Sequence, residues 1–490
     1  MSAQNSKSTS IAATNNKGLG VLALAAIVVS SMLGGGIYSL PQNMAAGASA
    51  GAVLLAWIIT GIGIFFIART FSILSLAKPD LTTGIYSYSR AGFGPYIGFT
   101  IGWSYWLCQI CGNVGYAVIT MDALNYFFPP YFAGGNNLAS IIGGSILIWG
   151  FNYLVLKGVK QASIINAIGT IVKIVPLILF ILIMLFVFHY TRFDIDFWGE
   201  AIATRTKLGG LSTQIKSTML VTLWAFIGIE GAVVMSNRAK TQNDVGKATI
   251  IGFICCLAIY ILLSLLPFGY MSQEQLAAVP NPSTAGILEV VVGRWGAWVM
   301  NIGLLVSVLT SWLAWTMVTA EIPQAAAANG TFPKAFQTEN KNGSPSVSLW
   351  VTSSAMQLFM LLVYFSNNAW NTMLSITSVM VLPAYFASCA YLWKICEDGE
   401  YPENTIYKRS GALITAILGS IYALWLIYAA GLNYLLMAVI IIALGIPVYM
   451  WACKENNVKA FTCNEGIFAW ALIILSFFAL YAFSRGIIHI

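Results

Sequence analysis

The chain has 490 residues, of which 58% are hydrophobic and only 8% are charged, and its mean hydropathy is +0.79. These values exclude a soluble globular domain and predict a polytopic membrane protein. The net charge of +7 suits cationic loops on an anionic membrane leaflet, so no nucleic-acid partner is expected, and the two histidines offer no catalytic cluster of the kind an enzyme needs.

Residues 1–18 are polar and lack the hydrophobic core and cleavage site of a signal peptide, so we expect them to form a cytoplasmic N-terminal tail. Apolar runs long enough to cross a bilayer, near twenty residues each, follow this tail. We predict thirteen spans, at 19–43, 51–77, 95–128, 138–157, 163–189, 213–235, 247–271, 293–321, 346–366, 369–395, 411–431, 433–452 and 466–484.

The basic residues favour one orientation of these spans. With the N-terminus in the cytoplasm, seventeen of the twenty-four Lys and Arg residues fall on the inner side and six on the outer side. This bias agrees with the positive-inside rule. The remaining basic residue, Lys173, lies within the fifth span. We therefore expect a multi-pass protein of a cell inner membrane with a cytoplasmic N-terminus.

The first span contains three consecutive glycines, Gly34 to Gly36. Glycine is about 1 kcal/mol less favourable than alanine in a helix interior. An unwound turn within a membrane is tolerated only where protein or a cavity satisfies the freed backbone groups. The run therefore indicates a binding site at a broken helix, with half-helix amides facing an anion. The alternative is a glycine face that packs closely against another helix.

The sixth span carries a second interruption, from Trp224 to Gly231. Interrupted helices at matching positions of two halves indicate an inverted-repeat transporter with its site between the halves. We predict an all-α, five-plus-five inverted-repeat fold, with repeats at 19–189 and 213–395. Residues 411–484 add spans eleven to thirteen, and the last of these either crosses the membrane or lies on its surface.

Two charged residues lie in apolar sequence. Glu230 lies within the second interruption, where a carboxylate indicates either an acidic gate or relay or a structural acid bonded to a neighbouring helix. Lys173 needs an electronegative environment, which the unwound carbonyls of span one could supply. It would then brace two helices or take part in proton coupling. The alternative is a lysine that extends to the membrane interface.

Aromatic and amide side chains suggest how a substrate is held. Trp224 and Trp315 lie among small or polar residues, where an indole can face a desolvated cation; the alternative is a packing or interfacial role. Asn113, between two glycines, could bind a substrate head group or join two helices. Cys108 and Cys111 form a CxxC pair without a nearby ligand partner, so we expect no metal and no cofactor.

Three segments carry a family resemblance: 31–43, 223–231 and 315–333. They resemble the amino acid, polyamine and organocation superfamily, and within it the basic amino acid/polyamine antiporters. The C-terminal length and the Ser-Leu-Pro-Gln-Asn sequence after the glycines look most like the arginine/ornithine subgroup. The resemblance covers spans one to twelve. It implies that Gly34, Gly35 and Gly36 receive the substrate carboxylate on backbone amides, while Trp224 and Trp315 enclose the aliphatic and cationic part.

The same resemblance assigns further roles. Asn113 matches an asparagine that meets the guanidinium in arginine exchangers. Tyr105 and Glu230 match members of an inner gate, and Tyr385 would be the third member, although its local spacing differs by about one residue. Lys173 resembles the lysine that fills the sodium site of some sodium-independent relatives.

A polar contact from span ten is expected from Ser375, with Thr377 as the alternative. The implied function is sodium-independent exchange of cationic amino acids by alternating access, with arginine for ornithine as the leading interpretation. The alternatives are arginine/agmatine or lysine/cadaverine exchange and a proton-coupled basic amino acid permease. The expected partners are small basic amino acids or polyamines and the lipid bilayer, and the protein would act as a monomer or homodimer.

Overall fold

The computed structural model describes residues 20–81, 84–231 and 239–486, and the predicted tail at 1–18 lies outside them. Within this part of the chain the regular secondary structure is helical and no β-strand is present. In chain order the helices are α1 (Val21–Met32), α2 (Leu40–Ala45), α3 (Ala50–Ala77), α4 (Ile85–Phe93), α5 (Pro95–Phe127), α6 (Leu138–Lys157), α7 (Val159–Phe186), α8 (Tyr190–Phe193), α9 (Ile202–Leu208), α10 (Leu211–Ala225), α11 (Gln242–Leu265), α12 (Gln273–Ala278), α13 (Ser283–Val292), α14 (Arg294–Ala328), α15 (Ser346–Leu362), α16 (Ala369–Glu397), α17 (Arg409–Ala430), α18 (Leu432–Ala443), α19 (Gly445–Glu455) and α20 (Cys463–Ser484).

The predicted spans correspond to these helices. Among the described residues, ten helical stretches are long and apolar enough to cross a membrane, and the bent pair formed by α1 and Gly35–Ala45 supplies an eleventh. The two other predicted spans, 163–189 and 213–235, fall on α7 and α10, and residues 232–235 lie outside the described part. The all-α polytopic class is thus confirmed, while the repeat boundaries stay a prediction.

The first span is broken where the glycines stand. Helix α1 ends at Met32, Gly34 is extended, and a 3₁₀ segment, Gly35–Ser39, leads into α2. The two halves meet at an angle of 55°. Glycines allow this because an extended residue followed by a tight 3₁₀ turn carries no side chain that would crowd the neighbouring helices.

The second break follows α10. The helix ends at Ala225, and a turn runs through Phe226 to Glu230 before Gly231. Gly228 adopts a φ of +106°, a conformation that residues with a Cβ rarely adopt. A Cβ at Gly228 would also lie 2.9 Å from the backbone carbonyl of Ser31. The two breaks are therefore in direct contact, and the glycine makes that contact possible.

Other helices surround these breaks. Helix α1 packs on α11, α10 packs on α3 and α16, and α5 packs on both α14 and α16. The most apolar stretches of α5 and α16 are 83% and 78% buried, whereas that of α20 is only 28% buried. Long helices that are buried on most sides line the interior of a bundle, so α5 and α16 are the natural walls of a central site.

The C-terminal helix α20 is hydrogen-bonded to the start of α5. Thr462 and Glu465 form a reciprocal capping box at the first turn of α20. The other carboxylate oxygen of Glu465 accepts a hydrogen bond from the backbone N–H of Tyr96, at 3.0 Å. Glu465 thus caps two helices at once. The ring of Phe461 meets that of Tyr96 edge to face at 5.0 Å, which closes the contact.

Candidate functional site at the two helix breaks

Lys173 lies in the interior and not at an interface. Its side chain is fully buried in α7, and its Nζ donates to the backbone oxygen of Ser30 at 2.7 Å and to the Ser30 hydroxyl at 2.9 Å. A longer contact of 3.4 Å reaches the hydroxyl of Ser311 on α14. The carbonyls near the C-terminal end of α1 carry partial negative charge, so they suit a cation. The alternative of a lysine that extends to the membrane surface is therefore wrong.

A tyrosine outside the predicted site joins both breaks. Tyr260, on α11, places its hydroxyl 3.0 Å from the backbone oxygen of Met32 and 2.7 Å from that of Ala225. These are the last residues of α1 and α10, whose carbonyls have no intrahelical partner. Ser31 adds a direct link, because its hydroxyl donates to the Gly228 oxygen at 2.7 Å.

Replacing Tyr260 with phenylalanine is expected to lower the melting temperature of the purified protein. The ring would stay in place, but the Ala225 oxygen would lose this donor and the Met32 oxygen would keep only the Gly34 amide, at a cost of about 1–3 kcal/mol. Thermal unfolding in detergent would measure the change. A matched Tyr428→Phe variant, at an exposed tyrosine on α17, should melt within about a degree of the unmodified protein, since exposed substitutions are nearly neutral. Equal melting temperatures for all three proteins would contradict this role.

A small cavity lies between the two breaks and the walls formed by α5, α14 and α16. It measures about 30 Å³, well below the roughly 300–1,000 Å³ of a typical small-molecule site. Its lining residues come from five elements: Ser31, Met32, Gly34, Gln109, Gly112, Asn113, Tyr116, Trp224, Ile227, Trp315 and Thr377. The structure thus holds the site contracted, and a substrate of amino acid size needs side chains to move.

The predicted substrate residues are partly brought together at this cavity. Gly34, Asn113, Trp224 and Trp315 line it. Ser375 is buried on α16 but is not among the lining residues. Thr377, the alternative contact from span ten, takes that place.

The other two glycines lie beside the cavity. A Cβ on Gly36 would overlap the outer atoms of the Trp224 indole, and one on Gly35 would overlap a methyl group of Val308. The amide of Gly34 already donates to Met32 at 2.9 Å. The first amides of the 3₁₀ segment are those of Gly35 and Gly36. Backbone N–H groups at the start of a helical segment attract anions.

Two helices and the second break meet at one carboxylate. Tyr105 on α5 donates to Oε1 of Glu230 at 2.6 Å, and Tyr385 on α16 donates to Oε2 at 3.0 Å. The backbone N–H of Gly228 donates to the same Oε2 at 3.1 Å. The three side chains are buried. The geometry thus joins the three residues that the resemblance assigned to an inner gate, Tyr385 included, and the role of that cluster stays a prediction.

The described residues contain no group of three or more His, Cys, Asp or Glu side chains that could hold a metal ion. Cys108 and Cys111 are buried free thiols on α5. Gln109 lies between them, and the resemblance marks the Cys108-Gln109 pair as a departure from relatives that could alter side-chain selectivity. No role is expected for Tyr260 from the sequence. A lone polar residue in an apolar helix was the available signal for both.

The family of this chain is decided by sequence comparison. The family model for amino acid permeases matches residues 19–449. The chain belongs to the amino acid permease family. This permease matches the arginine/agmatine antiporter of Chlamydia pneumoniae with 63% identity over 97% of this chain and 99% of that protein. The proteins of the same name from Chlamydia abortus and Chlamydia trachomatis serovar D are 63% and 59% identical, over 96% of this chain in each case.

The predicted family is confirmed, and the permease is a multi-pass membrane transporter. The leading substrate interpretation is not confirmed. The relatives carry the name of arginine/agmatine antiporters, which agrees with the first alternative and not with arginine/ornithine exchange.

Proposed function

We propose that this permease exchanges arginine for agmatine across a cell inner membrane, without sodium and with its N-terminus in the cytoplasm. The observation that carries the proposal is the identity of 59–63%, over nearly the whole chain, with proteins named for this exchange. Agmatine is arginine without its carboxyl group. The two substrates share a guanidinium and an aliphatic chain, so the same site must recognise that shared part.

The geometry supports different roles for different residues of the site. Trp224, Trp315 and Asn113 lie on the cavity wall and would hold the shared aliphatic and guanidinium part. The amides of Gly35 and Gly36 would receive the carboxylate, which only arginine carries. Arginine would thus gain an interaction that agmatine lacks, whereas both would depend on the aromatic and amide groups.

Lys173 and the gate cluster complete the proposed cycle. Lys173 places its Nζ beside the last turn of α1, where it would take the place of a bound sodium ion. The cluster of Tyr105, Glu230 and Tyr385 closes the inner side while the cavity is contracted. Rocking of one group of helices against the other would open the site first to one side and then to the other.

The two exchange modes differ in charge. Arginine carries a net charge of +1 and agmatine a net charge of +2, because both hold a guanidinium and a protonated amino group near neutral pH but only arginine holds a carboxylate. Exchange of the two moves one net charge per cycle, and each charge is subject to about 2.3 kcal/mol per 100 mV. Exchange of arginine for ornithine moves none. The response to voltage therefore separates the proposal from the earlier interpretation.

The test is uptake of labelled arginine into sodium-free proteoliposomes preloaded with agmatine, ornithine, lysine, cadaverine, arginine or buffer. Agmatine is expected to stimulate uptake most strongly apart from arginine itself. A potassium gradient with valinomycin would set the voltage. An inside-positive potential should accelerate uptake against agmatine and leave arginine/arginine exchange unchanged.

Stronger stimulation by ornithine, or equal uptake into buffer-filled vesicles, would overturn this function. The first result would restore arginine/ornithine exchange. The second would indicate a uniporter or a proton-coupled permease.

A further inference from the structure

Three buried polar atoms on the cavity wall have no hydrogen-bond partner among the described residues. They are Nε2 of Gln109, Oδ1 of Asn113 and Oγ1 of Thr377, and each side chain is less than 5% exposed. Buried polar atoms without partners are rare in folded proteins, and each one requires an explanation. Because all three atoms belong to residues that line one cavity, we expect a polar group of a ligand to form the missing hydrogen bonds.

The amide of Asn113 is fixed in orientation. Its Nδ2 donates to the backbone oxygen of Gln109 at 2.9 Å and to the hydroxyl of Thr319 at 3.2 Å. The Thr319 hydroxyl itself donates to the Trp315 oxygen at 2.6 Å, so it can only accept from Asn113. The carbonyl of Asn113 therefore stays available as an acceptor at the cavity.

Gln109 lies one helical turn before Asn113, on the same face of α5. Its Nε2 forms no hydrogen bond within 3.5 Å among the described residues, so only a weaker approach to the Tyr105 hydroxyl favours one orientation of the carboxamide. A half-turn about the terminal torsion, which has two broad and nearly equivalent minima, exchanges the nitrogen for the oxygen. Gln109 can thus present a second carbonyl to the cavity beside that of Asn113.

The cavity offers acceptors without a charge of its own. No Asp or Glu is among its lining residues, and Glu230 is occupied by the two tyrosines and the Gly228 amide. A guanidinium is planar and presents five N–H donors in a fixed arrangement, whereas a primary ammonium presents three on a compact head. Two amide oxygens one turn apart and a hydroxyl suit the planar group.

We propose that Gln109 is a specificity-determining residue that makes this site select a guanidinium over a primary ammonium. The inference rests on the proposed function, because it assumes that arginine and agmatine enter this cavity. Sites that hydrogen-bond a substrate group discriminate strongly against analogues that leave their buried polar groups unpaired. Gln109 applies this discrimination at the substrate end that arginine and agmatine share.

The test measures binding of arginine, agmatine, lysine and cadaverine to purified protein, by tryptophan fluorescence, in Gln109→Met and Gln109→Glu variants. Methionine keeps the unbranched shape and removes the acceptor. We expect the arginine/lysine affinity ratio to fall about tenfold or more in Gln109→Met. The agmatine/cadaverine ratio should fall by a similar factor, because the contact is to the shared end. Gln109→Glu, which offers oxygen in both orientations, should keep the guanidinium preference.

A Gln357→Met variant serves as the matched control. Gln357 lies on α15, bonded to Trp149 and Ser145 and away from the cavity, so its ratios should equal those of the unmodified protein. Unchanged ratios in Gln109→Met, an equal loss for all four ligands, or loss of the guanidinium preference in Gln109→Glu would each overturn the inference.

If Gln109→Met does not fold, Gln109→Leu, which also removes the amide acceptor, takes its place with the same expected ratios. Failure of the proposed function is seen separately, because unmodified protein would then not exchange arginine for agmatine at all.

Discussion

Replacing Gly36 with alanine is expected to reduce arginine exchange at least a hundredfold. The added Cβ would overlap the Trp224 indole, and a side chain atom cannot share space with a ring. The ring has little room to retreat, because it packs edge to face on Trp370 with centroids 5.4 Å apart. Overpacking of this kind costs about 1–3 kcal/mol or more and displaces the neighbours. Since Trp224 lines the cavity, the site itself would change shape.

Exchange in proteoliposomes and melting temperature in detergent would be measured together. Gly150→Ala on α6 is the matched control, because its added Cβ would meet no atom within 4 Å and exchange should be unaffected. A second variant, Gly36→Ala with Trp224→Leu, should fold better than the single variant, since the smaller side chain leaves room for the methyl group. Wild-type exchange in Gly36→Ala would show that the contact with Trp224 has no part in transport.

Replacing Glu230 with alanine is expected to have the other large effect. The change would leave two tyrosine hydroxyls and the Gly228 amide buried without their acceptor. Each unsatisfied group costs about 1–3 kcal/mol, so we expect both a lower melting temperature and a loss of exchange of at least a hundredfold. Glu230→Gln keeps the shape and one acceptor oxygen, and it should retain intermediate activity.

Two further variants test the hypothesis that Glu230 belongs to a gate. Glu274→Gln removes an exposed carboxylate paired with Lys207 and should change neither stability nor exchange, because exposed pairs contribute little. Tyr105→Phe should lower exchange less than Glu230→Ala, since it removes one donor and leaves the carboxylate with two others. If Glu230→Ala is destabilised but exchanges normally per folded molecule, the carboxylate is structural and not a gate.

The helix breaks could be predicted from the sequence because glycine acts locally. Gly34 to Gly36 weaken a helix wherever it packs, and Gly228 permits a φ that other residues disfavour. The broad site followed from these positions and from the resemblance. Tyr385 was placed only weakly by spacing, yet its hydroxyl reaches Glu230, which lies 155 residues away in the chain. Contacts of that separation depend on how α10 and α16 pack.

Two expectations from the sequence had a weak physical basis. Ser375 and Thr377 are two residues apart on a helix of 3.6 residues per turn, so they point to nearly opposite sides, and only packing decides which meets the cavity. The arginine/ornithine interpretation rested on the C-terminal length and on the Ser39–Asn43 segment. None of these residues lines the cavity, so they carry little information about the substrate.

Tyr260 escaped prediction for the opposite reason, and the sequence marks Gln109 only as a departure from relatives. Each is a polar residue in an apolar stretch of helix, and its role depends on the residues that pack around it. Tyr260 meets carbonyls 35 and 228 residues away. Gln109 matters through an unpaired atom, which no sequence pattern reveals.

The contact between Glu465 and Tyr96 changes how the C-terminal helix should be treated in the laboratory. The family match ends at residue 449, so α20 lies beyond the segment shared with the family model. Yet α20 holds the first turn of α5, the helix that carries Tyr105, Gln109 and Asn113. A shortened version that stops after α19 would release the start of this helix, whose residues line the cavity. Purification tags and fluorescent fusions therefore belong after residue 490, because removing α20 to make a minimal transporter would alter the site.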